Sequence, residues 1–560
     1  MKKLTYVLLV LFALPAFSQN PLFIPDTLHG PVINLTMHRD SVQFFPGVIT
    51  QTYAFNSNHY LGPTLILDQG SAVSVTVNNQ IGDTTTLHFH GLHVPPQDDG
   101  GPHQLIMPNA TWNPQFTMMN DAATFWYHPH THMKTAEQAI KGADGMIIVR
   151  DPVEAALALP RSYGVDDFPI IVQSIQFDSV NQPMWRGMED STLLVNGTMN
   201  PFVNFPAQVV RLRLLNASGE RSFNFGFTNN LNFYVIGNDG GLLNAPVQTT
   251  RIRLSPGERA EVLLNLSGMN SQAIYLMSYA SEIPMGTQGG PTMPMPPWAP
   301  PMDSPLNGID FNLMKINVVS PTANPITTIP STLVTNIPWQ TSQVNAFRTI
   351  HMTADSLLVM DGPFYFNDSL FNMMRIDYTI PLNNIEIWTL INETMVAHPF
   401  HMHDIQFFVL DRNGIPVAPE ESGQKDVVLV QPNDTVRFIT KFTDFANDSV
   451  PYMYHCHILM HEDDGMMGQF VVSANVGIQE FNSAPVSIYP VPATDQLNIS
   501  SGTKNISIDV FDAMGRKMIS EKSDGGNISL NTSTWADGIY FVNIHSDGIS
   551  MVTRKVMVGK

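Results

Sequence analysis

The stretch YMYHCHILMHEDDGMM, residues 452–467, packs His455, Cys456, His457, His461 and Met466 into one short segment. Cys456 is the only cysteine in the 560-residue chain, so it cannot form an internal disulfide. Its histidine neighbours point instead to metal chemistry. If residues 455–457 are extended, period-two alternation sends both imidazoles to one face and the thiolate to the other. One strand then serves two metal sites, back to back.

Working outward, three further histidine clusters complete those sites: TLHFHGLH with His88 and His90, FWYHPHTH with His128 and His130, and HPFHMH with His398, His401 and His403. A single H-x-H pair is weak evidence. Four clusters at strand or turn spacing in one chain indicate copper, zinc, iron or nickel. The lone thiolate selects copper. Two histidines, one cysteine and a downstream methionine describe a trigonal blue-copper site with a weak axial thioether, and His398, Cys456, His461 and Met466 fit it. The remaining eight histidines (88, 90, 128, 130, 401, 403, 455 and 457) form four pairs, two early and two late in the chain. They are too many for one ion and suit a three-copper cluster between two domains.

These motifs resemble those of the multicopper oxidases, the family of laccases, bilirubin oxidases and bacterial copper-efflux oxidases. The similarity covers roughly residues 30–475 and is densest over TLHFHGLHVPPQDDGGPHQ, FWYHPHTHMKTAEQAIKGADGMIIV, HPFHMHDIQF and HCHILMHEDDGMMGQF. The resemblance implies that His398, Cys456 and His461 hold a type 1 copper, with Met466 axial. It gives His88 and His401 to a type 2 copper, and His90, His128, His130, His403, His455 and His457 to a type 3 pair, four ions in all. It further implies single-electron transfer from a small reducing substrate (phenol, aromatic amine or Cu(I)), with O2 reduced to water at the cluster. Cys456 is covalently continuous with His455 and His457, which gives electrons a short path. Asp99 in QDDGG matches the family's acidic residue near the type 2 copper, and Glu462 resembles a second proton-relay carboxylate. His93, His103 and His132 lie near the clusters but outside the ligand pattern.

The chain departs from the pattern in places. Asp404 stands where the third motif commonly has glycine, beside a type 3 position. Copper-efflux enzymes carry an acid and methionines just before that motif; here NETMVAHPF offers Glu393 and Met395 in another register. Their Met/His insert is missing from the third domain. A Met/Pro-rich loop at 282–305, with Met285, Met293, Met295 and Met302, lies in the second domain instead and is a candidate thioether patch for Cu(I).

Elsewhere the chain reads as all-β. Short alternating runs (72–77, 208–216, 250–255, 385–392, 435–442) are punctuated by 42 Pro and 37 Gly, the texture of antiparallel sandwiches or barrels. Helix is expected only near 135–141 and within 150–160. The resemblance makes the sandwiches three cupredoxin-like Greek-key domains at 19–155, 160–322 and 323–475. A linker at 476–485 leads to a small C-terminal β-sandwich at 486–560. That last segment, through YPVPATDQLNI, VFDAMGRKM and ADGIYFVNI, resembles the C-terminal sorting domain of type IX secretion. It implies passage to the cell surface or beyond, with that machinery as partner.

The N-terminus supports export. Lys2 and Lys3 precede an apolar run at 4–14 and the small-residue signal Ala16-Phe17-Ser18, so residues 1–18 read as a signal peptide. No other stretch is apolar enough for a membrane span. A formal net charge of −20 argues against nucleic acid or an anionic membrane as partner. Two rivals fare worse. A copper nitrite reductase needs no H-C-H bracket. A copper storage or electron-transfer protein needs no complete cluster.

Overall fold

The computed structural model describes residues 19–56, 59–186, 189–292, 304–356, 362–474, 487–500, 504–513, 515–546 and 549–559. The signal-peptide reading at 1–18, the linker at 476–485, and Met293, Met295 and Met302 fall outside those residues. The chain divides after Ala474 into two compact units.

The larger unit is a row of sheet pairs, as alternating strands with one apolar face require. The first pair joins the sheet of Thr27–His29, Thr64–Asp68, Gly145–Arg150, Thr124–His128 and His88–His90 to the sheet built on Val32–Phe45, Val48–Phe55 and Ala72–Gln80. Alternation is clean on Ala72–Gln80, where Val73, Val75 and Val77 point inward against Phe89, Phe125 and Tyr127. A second pair uses Asp167–Phe177, Val209–Asn216 and Arg259–Asn265 on one side and Pro201–Pro206, Phe223–Phe227 and Phe311–Val319 on the other. Strand Asn20–Pro21 pairs in parallel with Pro201–Pro206, so the start of the described chain belongs to this second pair by hydrogen bonding. The third pair sets Ala346–Ala354, Ile385–Asn392 and Thr435–Lys441 against the sheet ordered Tyr378–Pro381, Met467–Ser473, Tyr452–Cys456, His398–Met402, Val427–Val430. Its core includes Trp388, Phe400, Phe438 and Cys456 itself. Burying each such aromatic side chain contributes about 1.5–3 kcal/mol.

Helices are short, as expected: Thr135–Ile140, Pro152–Ala155 and Leu459–Asp463 are the α-helices among the described residues. None of them is long and apolar enough to cross a membrane. The separate C-terminal unit pairs a three-stranded with a four-stranded sheet around Leu497, Ile508, Val510, Trp535 and Val542.

Strand Val209–Asn216 is buried along its whole length, including Arg211 and Arg213. Arg213 donates to Asp167 Oδ1 (2.8 Å) and Glu261 Oε1 (2.6 Å), and Arg211 to Glu154 Oε1 (2.6 Å). Thr124 Oγ1, on a strand of the first pair, accepts from Arg213 at 2.9 Å. The polar face of this strand meets the first sandwich rather than water. Removing one partner of such a buried network costs about 3–5 kcal/mol.

Candidate metal centre

Four side-chain groups converge in the larger unit, all from the predicted clusters, each with its nitrogen or sulfur atoms within 4.8 Å of one another: His88/His90/His401, His90/His128/His457, His130/His403/His455 and His398/Cys456/His461. A fifth group adds Asp99 to His88 and His403.

Register explains the convergence. His88–His90 is an edge strand, antiparallel to Thr124–His128, with His88 opposite His128. His398–Met402 pairs antiparallel with Tyr452–Cys456, placing His401 opposite His455 and Phe400 opposite Cys456. Alternation therefore turns His401 and His455 toward the first sandwich and Cys456 into the core of the third. The strand ends at Cys456, yet His457 stays on the His455 side, its N–H donating to Pro399 O at 2.6 Å. Rings from the two sandwiches stack directly: His88 on His403 and His90 on His401, both at 3.8 Å between centroids.

The thiolate group is compact. Cys456 Sγ is 3.5 Å from His398 Nδ1 and 3.5 Å from His461 Nδ1. Thr394 Oγ1 lies 3.0 Å from His398 Nε2 and leaves Nδ1 facing the sulfur. Phe364 packs on both rings. Met466 is fully buried; its N–H donates to His461 O (2.8 Å) and its carbonyl accepts from Cys456 N–H (3.1 Å). Burial pushes the Cys456 thiol up and the His461 imidazole down to about 3. A neutral imidazole pair beside a thiol that ionises only with a cation is the donor set of a soft metal.

The histidine groups fit metal by their proton bookkeeping. His403 Nδ1 donates to Asp99 Oδ2 (2.7 Å), His455 Nδ1 to Cys456 O (3.0 Å), and His130 Nδ1 is 3.1 Å from Glu462 Oε1. The Nε2 atoms of His403 and His455 then face each other at 3.4 Å as lone pairs, with His130 Nε2 3.1 Å from each. His88 Nδ1 donates to Asp99 O (2.9 Å) and His401 Nδ1 to Asp426 O (2.8 Å). The Nε2 atoms of both are buried without a partner. Converging lone pairs in a dry site repel unless a cation lies between them. Burial first, and the neighbouring imidazoles second, hold His90, His128, His130, His401, His455 and His457 well below the ordinary histidine range, in the neutral form that ligates.

Asp99 and Glu462 both reach this site. Asp99 bridges His403 and His88. Glu462 lies between His130 and His455 and accepts from Thr135 Oγ1 at 2.7 Å. Gly100, next to Asp99, has φ +82, and a Cβ there would overlap the Leu87 carbonyl just before His88. Gly100→Ala is expected to lower Tm markedly and to reduce bound metal; calorimetry and metal analysis check this.

His93, His103 and His132 lie outside the groups. His103 Nε2 is 2.8 Å from Gln469 Oε1, and His132 packs edge-on against Phe371. His93 sits between Asp404 (2.8 Å) and Asp444 (3.0 Å). Burial alone would lower its pKa, but the two carboxylates outweigh that and raise it to about 9. Asp404 takes φ +72, the left-handed region that favours glycine, and its pairing with His93 offsets that cost. A raised histidine stabilises fully below its unfolded pKa and loses that contribution as pH rises through the folded value. The Tm of the native chain should therefore fall between pH ~6.5 and ~9 more steeply than that of His93→Gln.

Near the thiolate group, Glu393 pairs with His351 (2.6 Å) at the surface. Ala397 N–H donates to Gly286 O (2.8 Å), so the described start of the Met/Pro-rich loop docks where the chain enters His398. Met285 is half-exposed there.

Two charged residues at the cluster were not singled out from the sequence. Asp426 contacts His90 and His401, and Arg259 contacts Asp426. The signal was slight: a lone acid before the apolar run VVLV, and an arginine inside ERAEVLL.

Family models described as multicopper oxidase match residues 36–154, 169–292 and 336–476, and one described as a secretion system C-terminal sorting domain matches 487–559. The chain belongs to the multicopper oxidase family, and its sandwiches are cupredoxin-like. Copper binding and oxidase chemistry follow at the level of that family, and the C-terminal match supports secretion or a cell-surface location. Among relatives, "Multicopper oxidase mco" of Staphylococcus haemolyticus is 32% identical, over 78% of this chain and 88% of its own. Cell division protein FtsP of Sodalis glossinidius is 32% identical over 81% and 93%. Among solved structures, the laccase-like multicopper oxidase CueO from Ochrobactrum sp. superposes with a TM-score of 0.71 at 30% identity, covering 81% of this chain and 100% of its own.

Proposed function

We propose that the chain is an exported oxidase that takes single electrons from a small reducing substrate and passes them to O2. His398, Cys456, His461 and Met466 would hold a type 1 copper. His88 and His401 would hold a type 2 ion, and His90, His128, His130, His403, His455 and His457 a type 3 pair. Copper held there supplies one-electron redox chemistry at the thiolate and full reduction of O2 to water at the cluster.

One observation carries the reading: Cys456 belongs to one group while its covalent neighbours His455 and His457 belong to two others. The backbone of three consecutive residues thus joins donor side to O2 side. The protein's own work is positional. Thr394, Asp99 and the Cys456 and Asp426 carbonyls set ring orientations and tautomers. Burial excludes water. Asp99, kept ionised by His403 and His88, and Glu462, whose carboxyl burial pushes up, stand beside the cluster as proton acceptor and proton donor where O2 reduction consumes protons.

Export rests on the C-terminal sorting match, with the type IX machinery as its partner. For the donor, the docking of the Gly286 segment against the entry to His398 supports Cu(I) as a candidate alongside phenols and aromatic amines.

O2 uptake by the copper-loaded chain, with Cu(I), a phenol and bilirubin offered in turn, tests the proposal. Relatives named as cell division proteins favour a second reading, a non-catalytic role for the same fold and copper groups. No uptake despite full loading would establish that reading instead.

A further inference from the structure

One ring of the cluster is held differently from the rest. His90 Nδ1, not Nε2, faces its group, 3.4 Å from His128 Nε2 and 3.3 Å from His457 Nε2. The other rings turn Nε2 inward, as the partners of their Nδ1 atoms dictate for His88, His128, His401, His403 and His455. His90 can do this only if its proton sits on Nε2, and that atom is 3.2 Å from Asp426 Oδ1.

Asp426 is fully buried and doubly fixed. Arg259 grips both carboxylate oxygens, Nη2 lying 2.7 Å from Oδ2, and Gln406 Nε2 donates to Oδ2 at 3.2 Å. Arg259 is itself spent on backbone carbonyls, those of Thr124 (3.0 Å), Asp239 (2.9 Å) and Gly257 (3.1 Å). The Asp426 carbonyl accepts from His401 Nδ1. Gly91, at φ +84, makes room: a Cβ there would overlap both Asp426 Oδ2 and Arg259 Nη2. Arg259 begins a strand of the second sandwich, which among the described residues contributes none to the metal-competent groups.

We propose that the Arg259–Asp426 ion pair is the positioning device of the cluster: it locks His90 in the Nε2–H tautomer and fixes the residue whose backbone carbonyl accepts from His401 Nδ1, tying ligands of the first and third sandwiches to the second. Both are positioning residues, since they act through the rings. The inference rests on the copper-oxidase reading and explains what the ligand-free second sandwich does for it. The carboxylate is needed as an ion because two arginine N–H groups and one imidazole N–H all require acceptors on it. An amide would turn a donor toward one of them.

The test is chelator competition on the holoprotein, with blue absorption per chain as internal reference. Asp426→Asn should weaken cluster copper by ~10–100-fold while the Cys456 site keeps its absorption. Arg259→Lys, which keeps the charge and loses the fork, should do the same. Asp167→Asn is the control, because it breaks a buried arginine pair of the second sandwich that bonds to neither Asp426 nor a cluster ring. Equal copper loss in the control, or native copper affinity in folded Asp426→Asn, overturns the proposal. Nitrogen-15 NMR of histidine-labelled native chain, with His90→Gln for assignment, needs no variant of the pair: a His90 proton on Nδ1 overturns the tautomer lock whatever the variants do. A native chain that takes up no copper overturns the oxidase reading as well, whereas one that turns over normally while Asp426→Asn matches it overturns the inference alone.

Discussion

Cys456→Ser is expected to abolish the blue absorption and donor oxidation while the cluster copper stays bound. The sulfur is 3.5 Å from both His398 Nδ1 and His461 Nδ1, so it is the one anionic donor of its group. A serine oxygen is harder, closer to its own Cβ, and neutral at ordinary pH, so it removes both the soft charge and the reach. The change is nearly isosteric, and the site is lined by Phe364 and other apolar core side chains, so the fold should survive. His455 and His457 face the other way, packed edge-on among the cluster rings, and keep their geometry. Absorption spectroscopy, metal analysis and O2 uptake on the purified variant decide the matter. Retained oxidase activity would overturn the assignment of Cys456 as both ligand and electron path.

Asp99→Asn should do the converse: the blue absorption persists, and reoxidation of the reduced protein by O2 slows by ~10²-fold. Asp99 accepts from His403 Nδ1 at 2.7 Å and lies 3.4 Å from His88 Nδ1, touching nothing in the Cys456 group. Burial raises its pKa, but His403 and His88 outweigh burial and hold the carboxyl below the ordinary range. An amide there can still accept from one ring, so the rings stay near their places, but it cannot take up or hand on a proton. Stopped-flow reoxidation with the native rate would remove Asp99 from the reaction. Glu462→Gln, beside His130 and His455 in the group that also holds His403, supplies the comparison.

Much of the architecture was legible because the chemistry is written in short spacings. Strand 385–392 was read with its final limits, and 72–77, 208–216 and 435–442 lie within or near observed strands, because period-two alternation reports a half-buried sheet directly. The histidine pairs were legible for the same reason. An H-x-H on an extended backbone puts both rings on one face, and H-C-H puts the sulfur on the other. Asp404 was visible only as a missing glycine; the positive φ and the His93 pair that accommodate it are tertiary facts.

The sequence by itself determined the all-β class, the four histidine clusters and the H-C-H bracket, since each depends on neighbours within a few residues. Only the tertiary structure decided where the charges go. Arg211 and Arg213 alternate with apolar residues along a strand, yet are buried against Glu154, Glu261 and Asp167. Arg259 and Asp426, far apart in sequence and unmarked by any motif, meet beside His90. The physical reason is the same in each case: a buried charge is tolerable only with its partner in place. For Arg213 the partners lie on neighbouring strands of the same sheet, and for Arg259 the partner lies in the third sandwich, so pairing and packing place them rather than any local pattern.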